Sequence, residues 1–309
     1  MLFLEETLRL QMLEYPTYPV DVVLDTDAFN EVDDQFALAY LIRNQEKLRL
    51  QAIYAAPFFN EKADSPKTGM EKSYDEILNI LNLAEAPKYR ERVFPGAEHF
   101  LKDRNEPAKS EAAQDLIERA LQYSKEHPLY VIGIAAATNL ASAILLEPSI
   151  RERIVVIWLG GSGFHCSEIE EFNLMEDIPA AQVLFDSGVP LVQLPCWGVV
   201  ESFSISKPEL EVYLKGHSPL TDYLASHAIA SVEEWAETPM WTKAIWDVAA
   251  VAWLLNDNQR FMKERTVPCP KITSQGRYHF TEGRHSMRYV YRMERDPLMT
   301  DLITKLRKI

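Results

Sequence analysis

The sequence has 309 residues, of which 47% are hydrophobic and 25% are charged, so it is typical of a globular protein rather than of a disordered or fibrous one. Its formal net charge is −14. This acidic balance argues against partners such as nucleic acid or an anionic membrane surface, because both need clustered Lys and Arg. No apolar run approaches the about 20 residues that a membrane-spanning helix requires.

The N-terminus and the cysteines predict the compartment. Glu5, Glu6 and Arg9 interrupt the stretch where a signal peptide would need its apolar segment. The three cysteines are odd in number and scattered, which predicts neither a disulfide framework nor a zinc knuckle. We therefore expect a cytoplasmic protein.

Apolar segments alternate with helical patterns from the N-terminus onward. The predicted strands are 20–27, 48–56, 128–136, 153–161 and 189–195, and the helices between them are 33–44, 71–84, 138–148 and 179–188. The strands are nearly continuous runs of Val, Ile and Leu, as in strands buried on both faces. This order predicts an α/β fold with a mostly parallel central sheet and helices on both faces.

The C-terminal third has a different pattern. Helices are predicted at 207–215, 218–236 and 241–255, and an antiparallel β excursion at 266–293. There is no internal repeat and no segment with the composition of a linker. We therefore predict one domain over 1–309, with a core at about 20–255 and a helical and β elaboration at 256–309.

An acidic cluster lies where the first predicted strand gives way to a helix. No Lys or Arg occurs from Leu10 to Ile42, whereas this stretch contains Glu14, Asp21, Asp25, Asp27, Glu31, Asp33 and Asp34. In a parallel sheet this point is the edge where ligands bind. Acids in the first turn of a helix would account for Asp33 and Asp34, but not for Asp25 and Asp27.

A hard divalent cation is the natural partner of such a cluster, because carboxylate and carbonyl oxygens suit calcium or magnesium. The sequence contains no HExxH, no paired CxxC and no EF-hand pattern. Asp247 is the only charge in the apolar segment 244–255. It is either a remote ligand of the same cation or an aspartate at a helix start or interface.

These residues resemble the calcium-dependent nucleoside hydrolases, the inosine-uridine preferring family, of which the chain is identified as a divergent member. The match begins with Asp25-Thr26-Asp27, followed by Asp33-Asp34 and QFALAYLI. Four further stretches agree in order: 93–100, 133–148, 154–191 and 245–253. The resemblance spans about residues 20–255 and implies hydrolysis of an N-glycosidic bond, releasing free base and ribose.

The resemblance also implies a role for individual residues. Asp27 would contact a Ca²⁺ ion and act as general base on a metal-bound water. Asp34, the Thr138 carbonyl and Asp247 would complete the metal ligands. Asp33, Glu171 and Asn173 would bind the ribose hydroxyls, and Asp25 would support the residues that contact the ion and the substrate. Without the resemblance, Glu171 and Asn173 would be polar loop residues and Thr138 a helix N-cap.

The sequence departs from the family at three places. Five residues separate the two acidic pairs, where the family usually has three. Trp246 replaces a His that many members use to protonate the leaving base, although an indole could stack on that base. His165 occupies the position of a ribose-binding Asn, and Asn60 is the candidate for the Asn after the second strand.

Two other functions remain open at this level. A phosphatase of the haloacid-dehalogenase type also begins with a strand and DxD, but Phe29 stands where that family has Thr or Val. A non-catalytic homologue that binds a nucleoside or ribose is the second alternative, motivated by Trp246 and the longer loop. The expected partner is a small nucleoside in nucleoside catabolism or purine salvage, and the expected assembly is a homo-oligomer, either a dimer or a tetramer.

Overall fold

The computed structural model describes residues 4–167 and 170–308. The strands are β1 (Val20–Thr26), β2 (Leu48–Ala55), β3 (Val93–Pro95), β4 (Leu129–Gly133), β5 (Ile154–Leu159), β6 (Leu191–Leu194), β7 (Ser204–Ser206), β8 (Thr242–Ala244), β9 (Met262–Pro268), β10 (Lys271–Ile272), β11 (Tyr278–His279) and β12 (Ser286–Met293). The α-helices are α1 (Glu6–Met12), α2 (Asp33–Ile42), α3 (Pro66–Leu83), α4 (Glu111–Ala120), α5 (Thr138–Leu146), α6 (Phe172–Glu176), α7 (Ile178–Asp186), α8 (Lys207–Tyr213), α9 (Pro219–Glu233), α10 (Val248–Trp253) and α11 (Arg295–Leu306). Short 3-10 helices occupy Pro87–Arg92, Pro148–Glu152, Val200–Ser202 and Asp257–Gln259.

Eight strands form the central sheet in the order β3-β2-β1-β4-β5-β6-β12-β9. Every neighbouring pair is parallel except β12 and β9, which are antiparallel. The predicted mostly parallel α/β sheet is therefore confirmed. The short strand β3 was not predicted, because three residues carry too little periodicity to indicate a strand.

Each face of the sheet is covered by helices. Along β1, the side chains of Val22 and Leu24 belong to a core that includes residues of α2, α3, α9 and α10, whereas Val23 belongs to a core formed with α4, α5 and α7. This alternation follows from the pleat, which points successive side chains to opposite faces. Because helices cover both faces of the sheet, the strands contain apolar residues at nearly every position.

The predicted helix 241–255 is wrong in its first half. Thr242–Ala244 form β8, which pairs antiparallel with β7, and α10 begins only at Val248. The tertiary pairing with β7 overrides the local helical pattern, since a strand gains its hydrogen bonds from a partner distant in sequence. Asp247 consequently stands directly before α10, and its side chain does not cap that helix.

The segment predicted as an antiparallel excursion is part of the central sheet. β9 and β12 pair antiparallel as expected, but β12 also lies parallel to β6, so both strands extend the sheet. The small hairpin of β10 and β11 forms a separate two-stranded sheet. Among the residues that the structure describes, no helix combines the length and apolar character needed to cross a membrane.

Candidate active site

A cavity open to solvent lies at the carboxyl ends of β1, β4, β5 and β6. Such an edge collects the residues that follow each strand, which is why ligands bind there in open α/β sheets. The cavity is lined by Asp27, Asn30, Glu31, Asp33, Asp34, Ile134, Leu159, Glu171, Phe172, Asn173, Cys196, Trp197, Trp246 and Asp247. Of the residues predicted from the sequence, Asp27, Asp33, Asp34, Glu171, Asn173, Trp246 and Asp247 are among them.

Asp25 lies beneath the cavity, at the end of β1. Its Oδ1 accepts a hydrogen bond of 2.8 Å from Asn139 Nδ2, and burial raises the pKa of its carboxyl to about 7. Its other oxygen is buried and has no hydrogen-bond partner among the described residues. Asn139 in turn accepts a hydrogen bond from the Ala97 amide, so Asp25 ties β1 to α5 and to the loop after β3.

Asp27 follows β1 directly and is 1% exposed. Its Oδ2 accepts a hydrogen bond of 2.9 Å from Asn30 Nδ2. Burial, together with the nearby charges of Asp33 and Asp25, raises the pKa of Asp27 to about 8, although the hydrogen bond from Asn30 opposes this shift. A carboxylate with this environment is ready to bind a proton or a cation.

Asp33, Asp34 and Asp247 come together at the cavity floor. One carboxylate oxygen from each lies within 4.8 Å of the others, and all three side chains are buried. Burial raises the pKa of all three, that of Asp33 to about 6, and mutual repulsion adds to the shift for Asp34 and Asp247. Three carboxylates at this spacing require protons or a shared cation.

The residues present fit a hard divalent cation. The donor set consists of carboxylate oxygens, which calcium and magnesium prefer. Asp33 Oδ1 is buried without a hydrogen-bond partner among the described residues, as expected of an atom that awaits a ligand. Asp34 is oriented by Thr26, whose hydroxyl donates to its Oδ1. Asp27 stands beside this group of three rather than within it.

Lys243 is a charged neighbour of the acidic cluster that the sequence did not reveal. It forms an ion pair with Glu31, is largely buried, and its positive charge lowers the pKa of Asp33. Lys243 lies in β8, more than 200 residues beyond Glu31. No sequence pattern joins the two residues, so only the fold could bring them together.

Thr138 is the first residue of α5 and is completely buried. Its hydroxyl donates a 2.7 Å hydrogen bond to Asp177 Oδ2, and the helix is preceded by Ala137, so Thr138 is not the N-cap. Its side chain is therefore committed to Asp177. Any role toward a metal ion would use its backbone carbonyl, as the resemblance implies.

Glu171 caps the N-terminus of α6 from the cavity wall. Its carboxylate accepts hydrogen bonds from the amides of Gly161, Asn173 and Leu174 and from Cys196 Sγ, at distances of 2.6, 3.0, 3.0 and 3.4 Å. Burial raises its pKa, although these donors oppose the shift. Glu171 thus has a structural role in addition to its position on the cavity.

Asn173 is held by the strand ends beneath it. Its Nδ2 donates to the carbonyl of Leu159 at 3.1 Å and to that of Ile134 at 3.4 Å. Leu159 is the last residue of β5 and Ile134 directly follows β4, so Asn173 bridges the ends of two neighbouring strands. Its amide oxygen remains as an acceptor for a ligand hydroxyl.

Aromatic residues form one side of the cavity mouth. The rings of Trp197 and Trp246 meet edge to face with centroids 5.1 Å apart, and Trp197 is 49% exposed. Trp197 was missed by the sequence reasoning, as were Cys196 and Phe172. Cys196 and Trp197 directly follow the predicted strand 189–195, so the strand-end rule that identified Asp27 would have found them too.

Two predicted substrate-binding residues lie outside the cavity lining. Asn60 donates a 2.7 Å hydrogen bond to Asn30 Oδ1 and so touches the cavity indirectly. His165 packs beside Gly163 and Gly198. The structure therefore connects Asn60 to the site through one intermediate residue and does not place His165 on its surface.

The chain is similar to known proteins along most of its length. The sequence model of the inosine-uridine preferring nucleoside hydrolase family matches residues 22–299. The pyrimidine-specific ribonucleoside hydrolase RihA of Shigella boydii serotype 4 is 24% identical over an alignment of 288 positions, which covers 84% of this chain and 90% of that protein. RihA of Salmonella agona is 23% identical over the same shares of the two chains.

Solved structures share the fold. A plant nucleoside hydrolase, PpNRh1, superposes with a TM-score of 0.76 at 17% identity, covering 94% of this chain and 100% of that one. A purine-preferring ribonucleoside hydrolase from Gardnerella vaginalis gives 0.73 at 18% identity, covering 93% and 98%. The family match spans nearly the whole described sheet and its acidic cluster. The chain therefore belongs to the inosine-uridine preferring nucleoside hydrolase family, and its enzyme class is nucleoside N-ribohydrolase.

Proposed function

We propose that this protein hydrolyses the N-glycosidic bond of a ribonucleoside with the help of a bound Ca²⁺ ion, and that Asp27 is the general base. Enzymes of this family are metal-dependent. The observation that carries the proposal is the convergence of two proposed ligands, Asp34 and Asp247, from distant parts of the chain, with Asp33 beside them: one carboxylate oxygen of each lies within 4.8 Å of the others.

The proposed ligands of the ion are Asp27, Asp34, Asp247 and the carbonyl of Thr138. Calcium binds six to eight oxygens in flexible geometry, so a set that mixes carboxylates with a carbonyl suits it better than it suits a strictly octahedral ion. When bound, the ion would make a coordinated water more acidic. It would also neutralise the repulsion that raises the pKa of these carboxyls.

Asp27 removes the proton from the attacking water. Because a bound cation would favour the ionised form of this carboxyl, Asp27 would be a carboxylate able to accept a proton near neutral pH. Its carboxylate lies on the cavity surface, beside the acids at the floor. A positioned base of this kind typically contributes about 10²- to 10⁴-fold to the rate.

The sugar is held by the polar residues on the cavity walls. Asp33 and Asn173 present acceptors to the ribose hydroxyls, and Glu171 positions the loop around them. The transition state of glycoside cleavage carries positive charge on the sugar ring. Carboxylates already in place stabilise that charge without having to reorganise, which lowers the barrier.

The leaving base is placed against the aromatic side of the mouth. Trp246 and Trp197 offer ring surfaces for stacking, which holds the base by its faces. An indole N–H does not release a proton at neutral pH, so Trp246 binds the base rather than protonating it. The wider role that follows is cytoplasmic nucleoside catabolism, including purine salvage.

Release of reducing sugar from a panel of purine and pyrimidine nucleosides, measured with added Ca²⁺ and again after chelation, tests the proposal. We expect hydrolysis that the chelator abolishes and that Asp27→Asn lowers at least about 10²-fold. Asp21→Asn is the matched control, since Asp21 lies on the same strand but binds Arg49 and Gln51 outside the cavity. Nucleoside binding in calorimetry without release of base would instead support the non-catalytic alternative.

A further inference from the structure

The segment 28–32 separates the two acidic pairs and lies against the cavity. Asn30 and Glu31 line the cavity, and Asn30 is only 6% exposed. A loop at this place normally needs only to turn the chain from β1 into α2. Here it adds a buried amide to the wall that carries Asp27.

The backbone of this loop is tied down at Asn30. The Asn30 amide donates to the Asp27 carbonyl at 2.7 Å. From the other side, the Asn30 carbonyl accepts a 2.5 Å hydrogen bond from Lys62 Nζ. The next residue, Glu31, is held by its ion pair with Lys243. Contacts from three parts of the chain therefore fix the backbone position of Asn30.

The orientation of the Asn30 amide is determined by its two partners. Asn60 Nδ2 donates to Asn30 Oδ1 at 2.7 Å, so the oxygen must face Asn60. The Asn30 Nδ2 group then faces Asp27 and donates to its Oδ2 at 2.9 Å. The flipped amide would place an oxygen against a carboxylate and an N–H₂ against another N–H₂, and both contacts would be repulsive.

We propose that Asn30 is a positioning residue for the general base, holding the Asp27 carboxylate by Oδ2 so that Oδ1 receives the proton from the water. The inference rests on the proposed role of Asp27. A buried donor bound to one carboxylate oxygen restricts the rotation of the carboxylate. Without it the side chain would rotate, and orienting it for proton transfer would carry an entropic cost. Asn60 acts on Asp27 only through Asn30, because its hydrogen bond keeps the Asn30 amide from flipping.

Kinetics of Asn30→Ser and Asn30→Asp provide the first test. Both changes remove the Nδ2 donor toward Asp27: serine has a shorter side chain, and aspartate keeps the shape of the side chain but places an acceptor there. At saturating Ca²⁺, we expect kcat to fall about 10- to 100-fold, the range for loss of a hydrogen-bond partner that orients a metal-binding side chain, while KM changes less than about threefold. A merely structural role would lower the folded fraction instead and leave kcat per folded molecule unchanged.

Ser73→Ala is the matched control for loop anchoring. Ser73 Oγ accepts a 3.4 Å hydrogen bond from the Phe29 amide, so this variant loosens the same loop without touching Asn30 or Asp27. We expect its kcat to stay within about twofold of the parent protein. If the control falls as far as Asn30→Ser, the effect belongs to the loop as a whole and the proposal is overturned.

A second measurement needs no turnover. In ¹⁵N-labelled protein, the Asn30 side-chain amide is assigned by its loss in Asn30→Ser, and its resonances should shift in Asp27→Ala because the carboxylate acceptor is gone. An unchanged Asn30 amide in Asp27→Ala overturns the proposal. If the amide shifts but the parent protein releases no sugar from any nucleoside, the contact is supported and the proposed hydrolysis fails.

Discussion

Gly96 illustrates how closely single residues pack beneath the acidic cluster. A Cβ at this position would lie 2.1 Å from the Ala55 carbonyl oxygen and 2.6 Å from Asn139 Nδ2. The second of these atoms is the donor to Asp25. The glycine in the family-like segment 93–100 is thus needed because backbone and a buried amide approach it closely.

Gly96→Ala should therefore damage both stability and the site. The methyl group must displace Asn139 or the end of β2, and such overpacking costs about 1–3 kcal/mol. We expect a lower midpoint in urea unfolding and a reduced kcat with any nucleoside that the parent protein cleaves. Unchanged unfolding and unchanged kcat would show that the backbone here is more adaptable than the contact distances indicate.

Asn30 is a second case in which a single residue determines the geometry of the site. Its side chain contacts Asp27 and Asn60, and neither contact follows from local sequence spacing alone. The sequence showed that the loop between the acidic pairs was longer than in the family. It did not show which loop residue would face the carboxylate, because that depends on the backbone path of five residues and on partners from other segments.

At the scale of elements, Asp177 joins α5, α7 and the loop after β3. It caps α7 through the Ala180 amide and also accepts hydrogen bonds from the Leu101 amide and from the Thr138 hydroxyl. Burial raises the pKa of Asp177, while these donors oppose the shift. The position of the Thr138 backbone is thereby set by a helix cap about 40 residues away.

Thr138→Val tests this connection. The change keeps the shape of the side chain but removes one donor to a buried carboxylate, which costs about 1–3 kcal/mol. We expect a lower free energy of unfolding and a weaker calcium affinity in calorimetry, since the Thr138 carbonyl is a proposed ligand. The exposed Thr304, whose hydroxyl bonds Thr300 on α11, offers Thr304→Val as the control with little effect. Equal losses in both variants would contradict the special role of Thr138.

For the whole molecule, the buried acids make stability depend on pH and on calcium. The folded pKa values of Asp33, Asp25 and Asp27 are about 6, 7 and 8, all above the value of about 3.9 for an unfolded aspartate. Between these values, unfolding releases protons, so the folded state loses stability as pH rises. Their contribution is complete below about pH 4 and is lost by about pH 8.

Thermal unfolding in chelator should therefore show a falling Tm from pH 5 to pH 8. Added Ca²⁺ replaces the protons as the neutralising charge, so the increase in Tm upon adding calcium should grow over the same range. Differential scanning calorimetry at several pH values measures both quantities. A Tm in chelator that rises toward pH 8, or a calcium effect that is independent of pH, would contradict the buried acidic cluster as the cause.

Much of the fold could be predicted because most strands of the central sheet can be recognised from their own apolar sequence. Strands such as 128–136 and 153–161 are apolar at nearly every position, and the helices between them follow at short distance. The segments that failed lack this signal. β8 is three residues long, and its strand conformation depends on β7, so local patterning indicated a helix instead.

The sequence by itself determined the α/β order, the acids at the end of β1 and the family motifs, since each is encoded within a short stretch of chain. Only the tertiary structure decided that β12 lies beside β6, that Lys243 pairs with Glu31 and that Asn60 binds the Asn30 side chain. These contacts join residues whose relative position is set by the packing of distant elements. These contacts stabilise the protein only after the intervening chain has folded, so no local sequence pattern indicates them.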